Sequence, residues 1–410
     1  MTGGGCLSLA LLAACAFALP APSNAAPSAK SELEFLASLS AHPPDAFYDP
    51  PAQLPNKPGV LLRSDGLKDA TLPTGMQGWR ILYTTTVHDG APATAVATVF
   101  APVDPPPEPR PVIMWEHGTT GVLQKCMPSL LSVPTLGIPG LDQVVKAGWV
   151  LVATDYQFAE KDGPLPYLIG EGEARAGLDA VRAARQMPEL KLAARTVVWG
   201  HSQGGHAALW TGIAGPDYAP EVELAGVAAI APAGNIADII AMNAPVDKRL
   251  GPYLALAYSR FYPDITFDQA VRPEALAAAR EIAPLCLLLP LSDPLRAAVL
   301  TKTFEGRTLA IDSNPALAAR IAQNAADQPI AAPVLIAQGR ADTVVPPQAT
   351  DAYVDGRCAA GQPLEYWTFP GVDHIGVVLP GAALEAPLVA WTAARFAKEP
   401  PARGCTRKSF

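Results

Sequence analysis

Short apolar runs and longer mixed segments alternate along most of this chain. Residues 79–87 and 94–101 are alternating or β-branched runs separated by Asp89-Gly90, the signature of a tight hairpin. Six more short apolar runs follow at 111–115, 149–154, 196–199, 224–230, 333–338 and 364–369, spaced by helix-forming segments such as 171–187. That alternation predicts an α/β fold: a mostly parallel central sheet with helices on both faces. Ligand sites in such folds gather beyond the carboxyl ends of the strands, so the residues that end each run are the candidates for chemistry.

One run ends distinctively. Val197-Val198-Trp199 leads into Gly200-His201-Ser202-Gln203-Gly204-Gly205 and then into the helix former His206-Ala207-Ala208-Leu209-Trp210. A G-x-S-x-G between a strand and a helix predicts a nucleophile elbow, a sharp turn that small residues alone allow to close and that holds its serine out toward a substrate. Alone, the pattern arises by chance in glycine-rich loops; the flanking strand and helix give it meaning. A serine nucleophile needs a base and an acid, which in an α/β-hydrolase follow in the order acid, then histidine. The run 333–338 leads into Gly339-Arg340-Ala341-Asp342, and 364–369 leads into Pro370-Gly371-Val372-Asp373-His374. Of the six histidines, His374 alone lies after both partners on a post-strand loop. Asp342 is the expected acid; Asp373, Asp351 and Glu365 are rivals, and Asp373 is poorly placed because a neighbour in sequence cannot easily reach Nδ1.

The expected roles follow. His374 would take the Ser202 proton as the oxygen attacks a carbonyl, Asp342 would hold the imidazole in one tautomer, and water would release the acyl-enzyme. The oxyanion needs two amide donors. One is expected from Gln203, just after the nucleophile, and the other from Thr119, in the turn His117-Gly118-Thr119-Thr120-Gly121 that ends the run 111–115.

These segments together resemble the secretory lipases of the α/β-hydrolase superfamily. The resemblance rests on 117–121 with Cys126 soon after, on Ala153-Thr154-Asp155-Tyr156 with Pro166-Tyr167-Leu168-Ile169-Gly170, on the elbow, and on 339–346; it spans about 80–395. It implies a cofactor-free hydrolase of triacylglycerols or other carboxylic esters. The segment 158–161 departs from the pattern, since a glycine-containing turn is expected there.

Residues 233–314 form an Ala- and Leu-rich interval too long for a simple crossover, which predicts a cap inserted in a core made of 26–232 and 315–410. Within it, 282–291 is apolar almost throughout. The run is either the cap's own core or the inner face of a lid over an acyl-chain tunnel. Leu287 and Leu288 there, together with Tyr156, are the expected substrate-binding side chains.

Length and composition fit one elaborated domain: 410 residues, half of them hydrophobic. Its formal net charge of −8 argues against nucleic acid as a partner. A monomer acting on a small-molecule or lipid ester, with transient contact at a lipid interface, is expected. An apolar stretch at 7–19 followed by Ser23-Asn24-Ala25-Ala26 predicts an export signal over 1–25, although no Lys or Arg precedes it. Leu12-Ala13-Ala14-Cys15 would instead suit a lipoprotein anchored through Cys15. Export, to the medium or a periplasm, leaves four cysteines and favours two disulfides. Of the three connectivities, Cys126–Cys286 and Cys358–Cys405 are expected, with buried free thiols as the alternative. No Cys-x-x-Cys pair or histidine cluster offers a metal site. Two other classes use these residues: a serine peptidase of the same superfamily, and an inactive hydrolase-fold binding protein, which would be expected to lack a triad member.

Overall fold

The computed structural model describes residues 39–105, 107–158 and 163–410; the expected export signal, with Cys15, and residues 159–161 of the departing segment lie outside them. Ten strands form one sheet: β1 (Leu61–Gly66), β2 (Met76–Thr86), β3 (Pro92–Pro102), β4 (Arg110–Glu116), β5 (Val150–Phe158), β6 (Leu192–His201), β7 (Glu223–Ile230), β8 (Val334–Gly339), β9 (Leu364–Phe369) and β10 (Cys405–Ser409). Their order is β1-β2-β3-β5-β4-β6-β7-β8-β9-β10. The first three strands and the β3–β5 pair are antiparallel, and every pair from β5 to β10 is parallel.

Strand periodicity assigns each side chain a layer. Val112 and Met114 of β4 face one apolar cluster with Ala174, Leu178 and Val181 of a helix at Gly170–Ala184 and Leu209 of another at Gln203–Tyr218. Ile113 and Trp115 face a second, with Val144 from a helix at Leu141–Lys146 and Leu388 and Trp391 from one at Glu385–Phe396. In chain order these helices are α1 (Leu141–Lys146), α2 (Gly170–Ala184), α3 (Gln203–Tyr218) and, last in the chain, α11 (Glu385–Phe396). A sheet apolar on both faces is what helices on both sides require.

Between β7 and β8 the chain forms α4 (Ile236–Met242), α5 (Ala244–Phe261), α6 (Phe267–Ala270), α7 (Leu276–Ile282), α8 (Ser292–Leu300) and α9 (Pro315–Gln323); α10 (Pro347–Ala359) follows β8. Asparagines start three of them: Asn235, Asn243 and Asn314 accept from the amides of Asp238, Val246 and Leu317, closing the first turns of α4, α5 and α9. These helices share an apolar cluster that includes Ile239, Leu254, Ile282 and Leu285, runs on into α9 through Leu317 and Ile321, and takes in Tyr167, Leu168 and Val345 from the sheet side. Disulfide Cys126–Cys286 ties this insertion to the loop after β4, and Cys358–Cys405 ties α10 to β10, both in the expected pairing.

Strand order reverses direction around β4: the chain passes from β4 back to β5 and then over to β6. The crevice beyond the carboxyl ends of β4 and β6 is therefore a topological switch point, where open α/β sheets bind ligands.

Candidate active site

Two glycines and one strained residue build the turn from β6 to α3. Ser202 sits at φ 60° and ψ −115°, a region that costs a non-glycine residue roughly 1–3 kcal/mol and persists only when its surroundings hold it there. They do. A Cβ on Gly200 would fall 1.9 Å from Gly204 O, and one on Gly204 would fall 1.8 Å from Glu116 O. The Ser202 amide donates to Ile230 O at 2.9 Å, while its carbonyl accepts from His206 at 3.1 Å and Ala233 at 3.2 Å.

The loops after β8 and β9 bring the other two residues together. His374 Nδ1 lies 2.7 Å from Asp342 Oδ2, with both side chains buried. Asp342 Oδ2 also accepts from Gln338 Nε2 at 2.9 Å, and Oδ1 accepts from the amides of Val344 at 2.8 Å and Val345 at 2.9 Å. Burial pushes the Asp342 carboxyl up, but the hydrogen bond and charge of His374 and these two amides outweigh it and hold the pKa below the ordinary value. Its rivals are engaged elsewhere. Asp373 accepts from Gly376 in its own loop, Asp351 from Arg340 and Tyr366, and Glu365 from Trp391.

His201, the variable residue of the elbow motif, joins the serine turn to the histidine loop. Its Nε2 donates to His374 O at 2.8 Å, and the two rings lie 4.7 Å apart. Burial and the neighbouring His374 depress its pKa to about 3, so it is a neutral brace. Nothing in the motif marks this role, because position x is free in the pattern.

The loop after β4 abuts the elbow. A Cβ on Gly118 would lie 3.6 Å from Ser202 Cβ, so Thr119, the next residue, lies beside the serine turn. Thr119 Oγ1 and Tyr167 Oη are 3.0 Å apart. Gln203 opens α3, where an amide has no acceptor within its own helix; its side chain donates to Glu173 Oε1 at 2.7 Å. Glu173 also accepts from Leu168 N at 3.0 Å and faces His206 Nδ1 at 3.1 Å. Glu116, at the end of β4, is held well above the usual carboxylate range by burial and by the charge of Glu173, and is neutral.

A half-open cavity with about 500 Å³ of atom-free space, open solvent included, reaches Ser202 and Gln203. Its far wall is aliphatic, from Ile236, Ile239 and Ile240 of α4, Leu250 and Leu254 of α5, and Leu309.

A model of the secretory lipase family matches residues 138–404, a stretch that contains the elbow and the Asp342 and His374 loops. The chain belongs to the secretory lipase family. Its class of reaction is therefore carboxylic-ester hydrolysis of the lipase or esterase type. Among secretory lipases and related proteins, Lipase 10 of Candida albicans is 25% identical over 416 residues, covering 92% of this chain and 87% of its own. A Mycobacterium tuberculosis protein named a probable inactive lipase is 24% identical over 397 residues, covering 87% and 82%. The closed-state structure of Candida antarctica lipase A has a TM-score of 0.68 at 19% identity and covers 89% of each chain, a likeness of fold.

Three expected pocket residues of this secretory lipase sit elsewhere. Tyr156 is wholly buried behind the loop that ends β4: its hydroxyl donates to His117 O at 2.8 Å and its ring lies 4.5 Å from that of His117. The cause is a bulge in β5, where Gln157 pairs with Ala95 and Thr154 with Ala97, leaving Asp155 and Tyr156 opposite one residue, with Tyr156 at φ 67°. Leu287 and Leu288 are half-buried and outside the cavity wall; the Leu287 amide donates to Thr120 O at 2.8 Å, which turns this run along the loop after β4. The residues that line the cavity instead, from α4 and α5, lie in sequence with no motif to mark them.

Proposed function

We propose that this chain is an exported serine hydrolase that cleaves apolar carboxylic esters through an acyl-enzyme on Ser202. The observation that carries the reading is the pairing of a buried Asp342–His374 couple at 2.7 Å with a strained serine that opens into an aliphatic cavity. His374 Nε2 takes the hydroxyl proton as Ser202 Oγ bonds to the ester carbonyl carbon, and Asp342 stabilises the imidazolium. The amides of Gln203 and Thr119 receive the oxyanion, each contributing about 3 kcal/mol to the barrier reduction. His374 then gives its proton to the leaving alcohol. Water, deprotonated by the same imidazole, releases the carboxylic acid.

Two observations favour lipid esters over peptides. Apart from Asp247, the cavity wall beyond the nucleophile is aliphatic, with no basic side chain to hold a peptide carboxylate. Leu291, Leu295 and Val299 are exposed at i, i+4 and i+8 along α8, an apolar stripe on the outside of the helical insertion suited to a lipid surface. The insertion is, in this reading, a cap whose inner side walls the acyl chain. The two disulfides support export.

The test is hydrolysis of p-nitrophenyl esters from acetyl to palmitoyl and of emulsified triolein by the mature chain and by Ser202→Ala. Activity that rises with chain length, increases at the emulsion surface and vanishes in the variant is the expected result. Hydrolysis that survives Ser202→Ala would remove the nucleophile assignment, and activity confined to short soluble esters would make the cap a fixed wall.

A further inference from the structure

One group in the cavity wall has no part in hydrolysis at Ser202. Asp247, in the first turn of α5, lines the cavity and is 1% exposed. Its Oδ2 accepts from the amides of Thr308 and Leu309, whereas Oδ1 has no hydrogen-bond partner among the described residues. Leaving a buried carboxylate oxygen unpaired is costly, on the order of 1–3 kcal/mol. Burial pushes the carboxyl up, with the two amides and the charges of Arg307 and Arg272 opposing it. One turn along the same helix stands Gly251, also in the cavity wall. A Cβ there would lie 3.0 Å from Oδ1, so a methyl group at 251 would crowd that oxygen. The neighbouring hydroxyl in the wall, Tyr167 Oη, is engaged with Thr119.

We propose that Asp247 determines specificity by receiving a hydroxyl carried on the substrate's acyl chain, so that the preferred substrates are esters of hydroxylated fatty acids. This rests on Ser202 as the nucleophile. The leaving alcohol departs before water attacks, so the chain held in the cavity through both half-reactions is the acyl chain. A hydroxyl suits Oδ1 in either protonation state, because it donates to a carboxylate and accepts from a carboxylic acid. An ammonium would suit the anion alone, and a plain methylene chain would bury the oxygen unpaired. Sites built to hydrogen-bond a hydroxyl reject the analogue without it far more strongly than apolar pockets separate neighbouring chain lengths.

Calorimetric titration of Ser202→Ala with decanoate, dodecanoate and their positional hydroxy isomers reads this without turnover, and kcat/KM for the matching p-nitrophenyl esters reads it in the wild type. At least one hydroxy isomer is expected to bind roughly tenfold or more tightly than its parent acid, with a matching preference among the esters. Gly251→Ala, which covers Oδ1, and Asp247→Leu, which removes it, should each bring the hydroxy-to-parent ratio to about one; having two variants guards against misfolding of either. Hydroxy isomers that all bind no better than their parents would overturn the proposal. A wild type that hydrolyses plain esters through Ser202 with no hydroxyl preference would overturn it while leaving the nucleophile in place. If hydrolysis persists in Ser202→Ala, the nucleophile fails and the binding ratio alone decides the role of Asp247.

Discussion

Gly204 packs so closely on the end of β4 that a methyl group would overlap Glu116 O at 1.8 Å. Gly204→Ala should therefore yield little folded protein, visible as loss of soluble expression or a large fall in Tm. Asp342→Asn should fold, since its neighbours stay hydrogen-bonded, but it presents His374 with the wrong tautomer; a kcat loss of about 10³–10⁴-fold is expected from ester kinetics. Asp155 offers a test of pH linkage. Wholly buried, its carboxyl is pushed up to about 7 by burial against the hydrogen bonds from Ser129. The unfolded chain releases that proton near pH 3.9, so the native state loses stability as pH rises from about 4 and the loss levels off near 7. The stability of Asp155→Asn relative to wild type should thus climb across that window, by on the order of 4 kcal/mol. Urea unfolding at about pH 4.5, 6 and 8 reads it, and a difference flat with pH would mean Asp155 folds ionised. The serine elbow and the Asp342–His374 pair were legible in the sequence because both are carried by chain order and local turn chemistry. His201 and Tyr156 were not, because each acts by reaching a backbone carbonyl that only the folded sheet brings near.

Strands apolar on both faces announce themselves, and β4 to β9 lie where the runs predict them. β10, Cys405–Ser409, escapes that reading: its side chains are polar and mostly exposed, and it holds the sheet edge by backbone pairing with β9 and by the Arg407–Asp355 ion pair. β1, Leu61–Gly66, is likewise a half-exposed edge. The bulge in β5 was invisible too, since the predicted run stops at Thr154 and nothing in Asp155-Tyr156 marks the ladder pairing they lack. The short helices of the insertion could not be told apart because alanine-rich sequence fits a helix in any register. The Cys358–Cys405 bond closes a separation of 47 residues and anchors β10. Replacing both cysteines with serine should cost about 2–4 kcal/mol in urea unfolding, a difference from the wild type that should vanish when both proteins are unfolded under reductant.

At the level of the whole molecule, the proposed catalysis and substrate choice would come from different parts of the chain: the sheet's switch point holds Ser202, Asp342 and His374, and α4 and α5 of the insertion line the cavity beside the serine. In the proposed function, surface recognition would fall to a third part, the exposed stripe on α8. Leu295→Glu should lower activity on emulsified triolein several-fold while sparing soluble short-chain esters, because it charges an exposed position that does not line the cavity; equal losses on both would place α8 in the pocket's support. The Cys126–Cys286 bond crosses between these parts. Cys126 follows the Thr119 loop within a few residues, and Cys286 opens the run whose amide at Leu287 bonds to Thr120 O. Oxidation of this one pair thus fastens the helical insertion to the loop after β4, so that two segments 160 residues apart in the chain become a single unit when the chain meets an oxidising environment.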